Sequence, residues 1–595
     1  MFFAENLWHD KLRMQSKSSF PWPARQGILT EGKQKMNQDN AKNQETPAGR
    51  PAITRRDFLN GVLLAAAAPS LAGLNRLLPT PGSEPTPRQA AAAPGSEDHS
   101  DDFAACHQIW KGELGNAAPQ ADPGAHLYDC LVIGGGMSGL AAAWKLARLG
   151  ISDVLVLERN DQPGGLCRAD TIGGVQAARA SAYPSFPFNA DMIDLYRDLG
   201  FIKKEGKIRI DPQFVIQPPY DRLYINKQWV SDPFSEQGIS ELPVSKKVRG
   251  ELNALVEALD KLWEWEDAGG RSAFDCPVDS ASPQMRSLDR QTLGEYVQSK
   301  GWSLEMIKIF DPLLRSAYGL GHERISAWAA LDLLSDELLP ADPGEDAPGF
   351  PGGNAYFAAA LARWLGPKRI LPGATVTRVQ QQNKEALVTL VRQGKTQALR
   401  GRTAIFAAPQ FLAPYLLPDL PADRRKAAQS FEYASYVVAN VAVSRTPPGL
   451  AYSNQLTGGF AMSDFIVADW AALPDPAGAP LSRRSVLTAY CPLGAADRSR
   501  LLSPSLDEWQ ARIVSELEQC APGTASTVTG FYLYRWGHAF AVPAREALFS
   551  AARQLAQTPL GRILFAHADV EGIPTIDHAM ASGFRSARQA AQLLE

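Results

Sequence analysis

Three glycines, Gly134, Gly136 and Gly139, stand at the spacing that lets a chain turn tightly, approach a pyrophosphate and pack a helix on a strand. The apolar run Cys130–Ile133 precedes them. Ala- and Leu-rich sequence from about Met137 to Leu149 follows and stops at Gly150. This order predicts a buried strand, a phosphate turn through Gly136, Met137 and Ser138, and a helix whose N-terminal N–H groups face anionic oxygens. A second strand is expected over Asp153–Leu157, ending in Glu158, roughly 20 residues past the last glycine. A carboxylate there accepts from ribose hydroxyls and repels a 2′-phosphate, which disfavours NADP. The chemistry implied is dinucleotide binding.

Further segments narrow the dinucleotide. After Glu158 come Arg159, the pair Gly164-Gly165, then Leu166 and Arg168. Much later, Pro351-Gly352-Gly353-Asn354 opens a helical stretch to Leu365, and Ala386–Val391 with Thr396–Phe406 alternate as hairpin strands. Gly561–Asp569 reads as a strand ending in an acid, and a helix follows to about Leu594. Three such segments in this order, across roughly 125–595, resemble the flavin amine oxidase superfamily. The resemblance implies FAD and an α/β fold. It implies a Rossmann-type FAD-binding domain, doubly wound and three-layered, with an inserted α+β substrate domain. It also implies that Gly164 and Gly165 lie against the cofactor with Arg159 and Leu166 beside them. Leu166 stands where the family usually has arginine. By the same resemblance Val376 meets the adenine, Asp569 the ribityl-pyrophosphate region, and the N–H groups of Thr575 and Ile576 the flavin pyrimidine ring. Tyr534–Phe540 and Phe565–Asp569 look most like the spermidine dehydrogenase group, whereas Ala182–Phe188 departs from that group's pattern. The reaction type therefore carries over more firmly than a polyamine substrate.

Flavin amine oxidation moves a hydride from the carbon beside nitrogen to flavin N5, and a neutral amine brings its own lone pair, so a dedicated base is not required. The protein must hold that carbon in place and exclude water. Trp536 and Phe540 are the candidates for an aromatic wall, with His538 between them to orient substrate or flavin. All three also suit structural roles, and the sequence leaves both open. No lysine matches the family's water-binding lysine. Two other readings stay open: a desaturase-type flavoprotein acting on an isoprenoid or porphyrinogen, and a flavin-stabilised binding or electron-transfer protein without turnover. The electron acceptor is undetermined among oxygen, a quinone and a cytochrome.

These residues need elements to position them. The FAD-binding domain is expected in three pieces, 125–185, 346–410 and 531–595. A helical substrate segment over 186–345 and a strand-rich one over 411–530 would lie between them. Tyr436–Val443 and Ser485–Tyr490 are the clearest strands of the second segment. Residues 1–52 are polar and expected to be disordered, or to precede the true start. Arg55-Arg56 ahead of the apolar run Val62–Leu74 reads, with the linker to residue 95, as a twin-arginine signal. It predicts export of the folded protein to the periplasm by that machinery. The run is too short to span a bilayer.

With 60 basic against 63 acidic residues, the near-neutral balance gives no electrostatic reason to expect nucleic acid. The partner implied is a small molecule, an amine. Six cysteines without CxxC spacing suggest neither a metal centre nor a disulfide framework, although one bridge is open to an exported chain. Cys106-His107 lacks the CxxCH of covalent haem attachment.

Overall fold

Cys130, Leu131, Val132 and Ile133 are all buried, and their strand, Leu127–Ile133, lies inside a seven-stranded sheet of the computed structural model. The structure describes residues 95–99, 107–108, 111 and 124–595, less 204–207, 219, 340–346, 472–483, 495–496 and 499–500. The expected twin-arginine segment and Cys106 lie outside the described residues. Successive side chains of the strand serve opposite layers. Cys130 and Val132 share a core with the helices Met137–Arg148 and Ile576–Leu594. Leu131 and Ile133 share one with Val388, Leu390 and Ala404. Burial on both faces explains why the run is uniformly apolar rather than alternating.

Val154–Leu157 pairs in parallel on one side of this strand, and Arg400–Phe406 on the other. Ile563–Phe565 adds a further parallel neighbour. The N-terminal half of the long strand Lys395–Phe406 runs instead into an antiparallel meander with Glu385–Arg392 and Thr375–Gln382. The second sheet has eight strands. Its order is Glu97–Asp98, Val528–Trp536, Ser435–Val443, Ser485–Leu493, Asp464–Val467, Ser453–Leu456, Asp221–Ile225 and Gln228–Ser231. Within Ser435–Val443, Val437, Ala439, Val441 and Val443 pack with Trp509, Ile513 and Leu517 of the helix Leu506–Cys520. Tyr436 and Val438 turn the other way, into the core that holds the helix Ala327–Leu338.

Several expected boundaries move. The break placed at 531 falls inside Val528–Trp536, a continuous strand of the second sheet. The stretch 186–345, expected to be helical, contains the hairpin Asp221–Ile225/Gln228–Ser231. Its turn residues, Asn226 and Lys227, take φ of 50° and 64°. That left-handed turn is usually marked by glycine, and none is present. Past residue 411 the chain stays with the first sheet for a while, since Ala413, Leu416, Leu417 and Ala428 join its core. The strand expected over Gly561–Asp569 shortens to Ile563–Phe565, because His567 caps a one-turn helix, Ala568–Glu571, with Nδ1 accepting the Asp569 N–H at 3.2 Å. The five described cysteines are free and buried, so the expected option of a bridge finds no pair among them.

Candidate active site

A cavity is walled at one end by the first sheet's loops and at the other by the second sheet. Gly136, Met137 and Ser138 line the first end, where the helix Met137–Arg148 begins with no side-chain cap and no acid in its first turn. Its positive end is thereby left for an anion. The Gly164 N–H donates to the Gly135 carbonyl at 2.7 Å, which lays the second glycine pair along the turn. Gly164, Gly165 and Leu166 line the cavity there. A Cβ on Gly136 would meet no protein atom nearer than Gly165 Cα at 4.0 Å, whereas one on Gly139 would sit 1.9 Å from the Gly134 carbonyl oxygen. One glycine leaves room in the cavity; the other lets the helix close on the turn. Opposite, Thr575, Ile576 and Ala579 open the helix Ile576–Leu594 onto the same space, again without a side-chain cap.

The far end is aromatic. Tyr183, Tyr436, Tyr490, Trp536 and Phe540 line it, with Ser316 among them. Trp536 Nε1 donates to the Arg179 carbonyl at 3.0 Å, which fixes the indole. Phe540 packs on Tyr436 with ring centroids 5.6 Å apart. The Tyr436 hydroxyl donates to the carbonyls of Arg315 and Ser316. Behind Ser316 and Tyr183 lies Asp464, fully buried, accepting from Ser316 Oγ at 2.9 Å and Tyr183 Oη at 3.3 Å. Burial pushes the Asp464 carboxyl up to about 7, against the pull of the Ser463, Ser316 and Tyr183 hydroxyls. No described residue of the cavity wall is Lys, Arg, Asp or Glu.

Residues 137–591 match the family model for flavin-containing amine oxidoreductases. The chain belongs to that family. It is therefore an FAD-dependent oxidoreductase. Over 599 aligned residues it is 24% identical to oxidoreductase PigB of Serratia sp., spanning 90% of this chain and 83% of that one. It is 27% identical over 355 residues to the chloroplastic protoporphyrinogen oxidase of Oryza sativa subsp. japonica, spanning 56% and 61% of the two chains. The structure of putrescine oxidase bound to putrescine overlays with a TM-score of 0.58 at 20% identity, covering 78% of this chain and 99% of that one. That likeness shows the fold.

In this amine oxidoreductase the first end of the cavity suits FAD. Two uncapped helix N-termini and an open Gly136 face one space, the arrangement a pyrophosphate and a flavin edge require. Other expected contacts lie elsewhere. Glu158 is buried beneath the turn and accepts from the N–H groups of Gly135 at 2.9 Å and Asn160 at 2.8 Å. Gly134, Gly139, Arg159 and Val376 are also absent from the wall, and Val376 packs into the core of the first sheet. Arg168 folds back, its Nε donating to the Gly165 carbonyl at 2.9 Å.

Two of the expected site residues lie outside the cavity wall. Asp569 does not line the cavity: its Oδ2 accepts from the Tyr433 hydroxyl at 2.6 Å and the Gln410 N–H at 2.9 Å, while His567 and Ala568 face the space. The capping turn at His567 rotates the acid inward. His538 is also outside the wall, stacked on Phe411 at 4.5 Å and edge-on to Tyr433 at 5.6 Å. Desolvation, then the nearby Arg498 charge, pushes it down to about 4. Trp536 and Phe540, by contrast, both line the wall. The sequence reading missed Ser316, Tyr436 and Tyr490 as wall residues and Asp464 behind them. Tyr436 and Val438 carried a signal, since side chains two apart on one strand share a face.

Proposed function

We propose that this protein oxidises an amine held in the aromatic end of the cavity, at the carbon beside nitrogen. One observation carries the reading: a single space runs from the two helix N-termini to Trp536, Phe540 and Tyr436. FAD supplies the hydride acceptor. Gly136, Met137, Ser138, Gly164, Gly165 and Leu166 would hold it at one end, and Thr575 with Ile576 at the other. Trp536, pinned through its indole N–H, and Phe540, packed on Tyr436, would orient the carbon. Beside the reacting carbon, a wall of uncharged rings disfavours the ammonium form of that amine, so it reacts with its lone pair free. Apolar rings also keep water from the reacting carbon. The test is anaerobic mixing of purified holoprotein with monoamines, diamines and cyclic amines. Bleaching of the oxidised-flavin band by an amine supports the reading. The likeness to protoporphyrinogen oxidase favours a second reading, dehydrogenation of a porphyrinogen, and bleaching by a porphyrinogen but by no amine would put it first.

We also infer export of the folded, FAD-loaded protein by the twin-arginine route, supported by Arg55-Arg56 ahead of the apolar run. Replacing both arginines with lysine should strand loaded protein in the cytoplasm. Normal periplasmic recovery of that variant would remove the inference.

A further inference from the structure

At the far end of the cavity four hydroxyl-bearing side chains, Tyr183, Ser316, Tyr436 and Tyr490, line the wall among aromatic rings. Tyr436 donates to backbone carbonyls, and two others donate to one carboxyl group. Ser316 Oγ donates to Asp464 at 2.9 Å and Tyr183 Oη to the same carboxylate at 3.3 Å. Ser463 Oγ donates to it as well, at 2.5 Å. Three hydroxyls directed at one carboxyl favour its ionised form, against the burial that favours the protonated one. Donation to a buried anion polarises each hydroxyl and makes its oxygen a stronger acceptor toward the cavity. The Tyr490 hydroxyl is the independent sign that something is missing. Tyr490 is 6% exposed, lines the cavity and has no hydrogen-bond partner for its hydroxyl. A buried polar atom left unmade is costly unless a ligand satisfies it.

We propose that this end of the cavity is a recognition subsite for a second N–H group of the substrate, remote from the carbon that is oxidised, accepted by Ser316 Oγ and Tyr183 Oη with Tyr490 Oη beside them. The substrate class is then an amine carrying a second nitrogen with a hydrogen to donate, either an ammonium or a neutral ring N–H. Asp464 never touches the substrate; it is a positioning residue that sets the polarity of the hydroxyls. The subsite rests on the amine-oxidation reading of the same cavity.

The test uses matched probes on the FAD-loaded protein. One arm compares 1,5-diaminopentane with pentylamine, and the other compares 2-(aminomethyl)pyrrole with benzylamine. A site built to pair an N–H discriminates strongly against an analogue lacking it. The expected result is at least a tenfold preference in kcat/KM for the two-nitrogen member of one arm, carried by KM. The arm that shows it tells charged from neutral donor. Tyr490→Phe and Asp464→Asn should each shrink that preference at least several-fold while FAD content holds. If no amine reduces the flavin at all, the amine reading fails first. If amines reduce it but both pairs react equally, the subsite alone is overturned. The subsite is likewise overturned if either substitution lowers the thermal midpoint and leaves the preference untouched, since that is a structural role. Ser316→Ala gives a third, smaller perturbation should Asp464→Asn not fold.

Discussion

The two ends of the cavity are built from different materials. The nucleotide end is backbone: glycines at Gly136, Gly164 and Gly165 and the N-termini of Met137–Arg148 and Ile576–Leu594, neither with a side-chain cap. The substrate end is side chain: a tryptophan, a phenylalanine and three tyrosines, each fixed by a partner outside the wall or packed on another ring. Backbone recognition tolerates one solution, because a pyrophosphate asks for N–H groups at a set spacing and for room. Side-chain recognition can be retuned ring by ring without touching the fold. The first end is therefore the more constrained of the two, and the second the more open to variation.

The contrast breaks most easily at Gly136. Its missing Cβ leaves open space and relieves no clash with protein atoms, so Gly136→Val should purify without FAD yet fold with the thermal midpoint of the FAD-stripped parent. Gly139→Ala should fail differently. Its Cβ would strike the Gly134 carbonyl, so stability is lost together with the cofactor. Absorbance at the flavin band, read beside the thermal midpoint, separates the two. Yellow, fully loaded Gly136→Val protein would mean that the pyrophosphate is not held at this turn.

At the other end the expected loss is of rate alone. Trp536→Phe removes the N–H that holds the ring to the Arg179 carbonyl while keeping an aromatic ring. FAD should stay bound, and flavin reduction by the best amine should slow by about 10- to 100-fold, the scale on which lost positioning is felt. Unchanged reduction kinetics with a depressed midpoint would move Trp536 from the wall into the core.

This difference also decides how much was legible beforehand. The phosphate turn announces itself because its constraint is local: strand, glycines, helix and acid fall within about 30 residues, as such units do. Its strands and helices are accordingly found close to where the sequence places them, Met137–Arg148 and Val154–Leu157 among them. The substrate end draws Tyr183, Ser316, Tyr436, Tyr490 and Trp536 from five separate segments, and no spacing rule links them. Strand periodicity shows only that Tyr436 and Val438 share a face. It does not tell which cavity that face meets. Asp569 and His538 lie outside the wall for a related reason. Each sits one or two residues from a true wall position, at Ala568 and Phe540, where a cap or a strand end turns the side chain away.

A smaller effect probes the charge behind the aromatic end. Burial raises Asp464 to about 7, while the unfolded carboxyl titrates near about 4. Between those values the folded state holds the proton more tightly than the unfolded state, so stability falls as pH rises from about 4 to about 7. The slope is at most on the order of 1.4 kcal/mol per pH unit. Asp464→Asn has no such proton to lose. The difference between its thermal midpoint and the parent's should therefore move in the variant's favour as pH rises from about 5 to about 7, whatever its sign at pH 5. A parent and variant that track each other across that range would place the ionisation elsewhere.

The smallest effect is expected at His538, and it tests whether the cavity wall ends where the rings of Trp536 and Phe540 say it does. His538 stacks on Phe411, outside the wall, and is pushed down to about 4 by desolvation and by Arg498. The unfolded imidazole titrates near about 6.5. Between about 4 and 6.5 the unfolded state binds the proton and the folded state does not, so this residue makes stability rise with pH across that window and contributes nothing above it. Its edge is exposed to solvent, which screens the charge and keeps the effect small. Above pH 6.5 the ring is neutral whether or not substrate is present. His538→Gln should therefore leave the rate of flavin reduction within about twofold and the pH profile of that rate unmoved, while flattening the stability slope on the acid side. Stopped-flow reduction from pH 6 to 9 and thermal midpoints from pH 4 to 7 make both measurements. If a limb of the rate profile disappeared in the variant, His538 would take part in the proton inventory of the reaction, and the substrate end would extend past Phe540 to the ring stack of Phe411 and Tyr433.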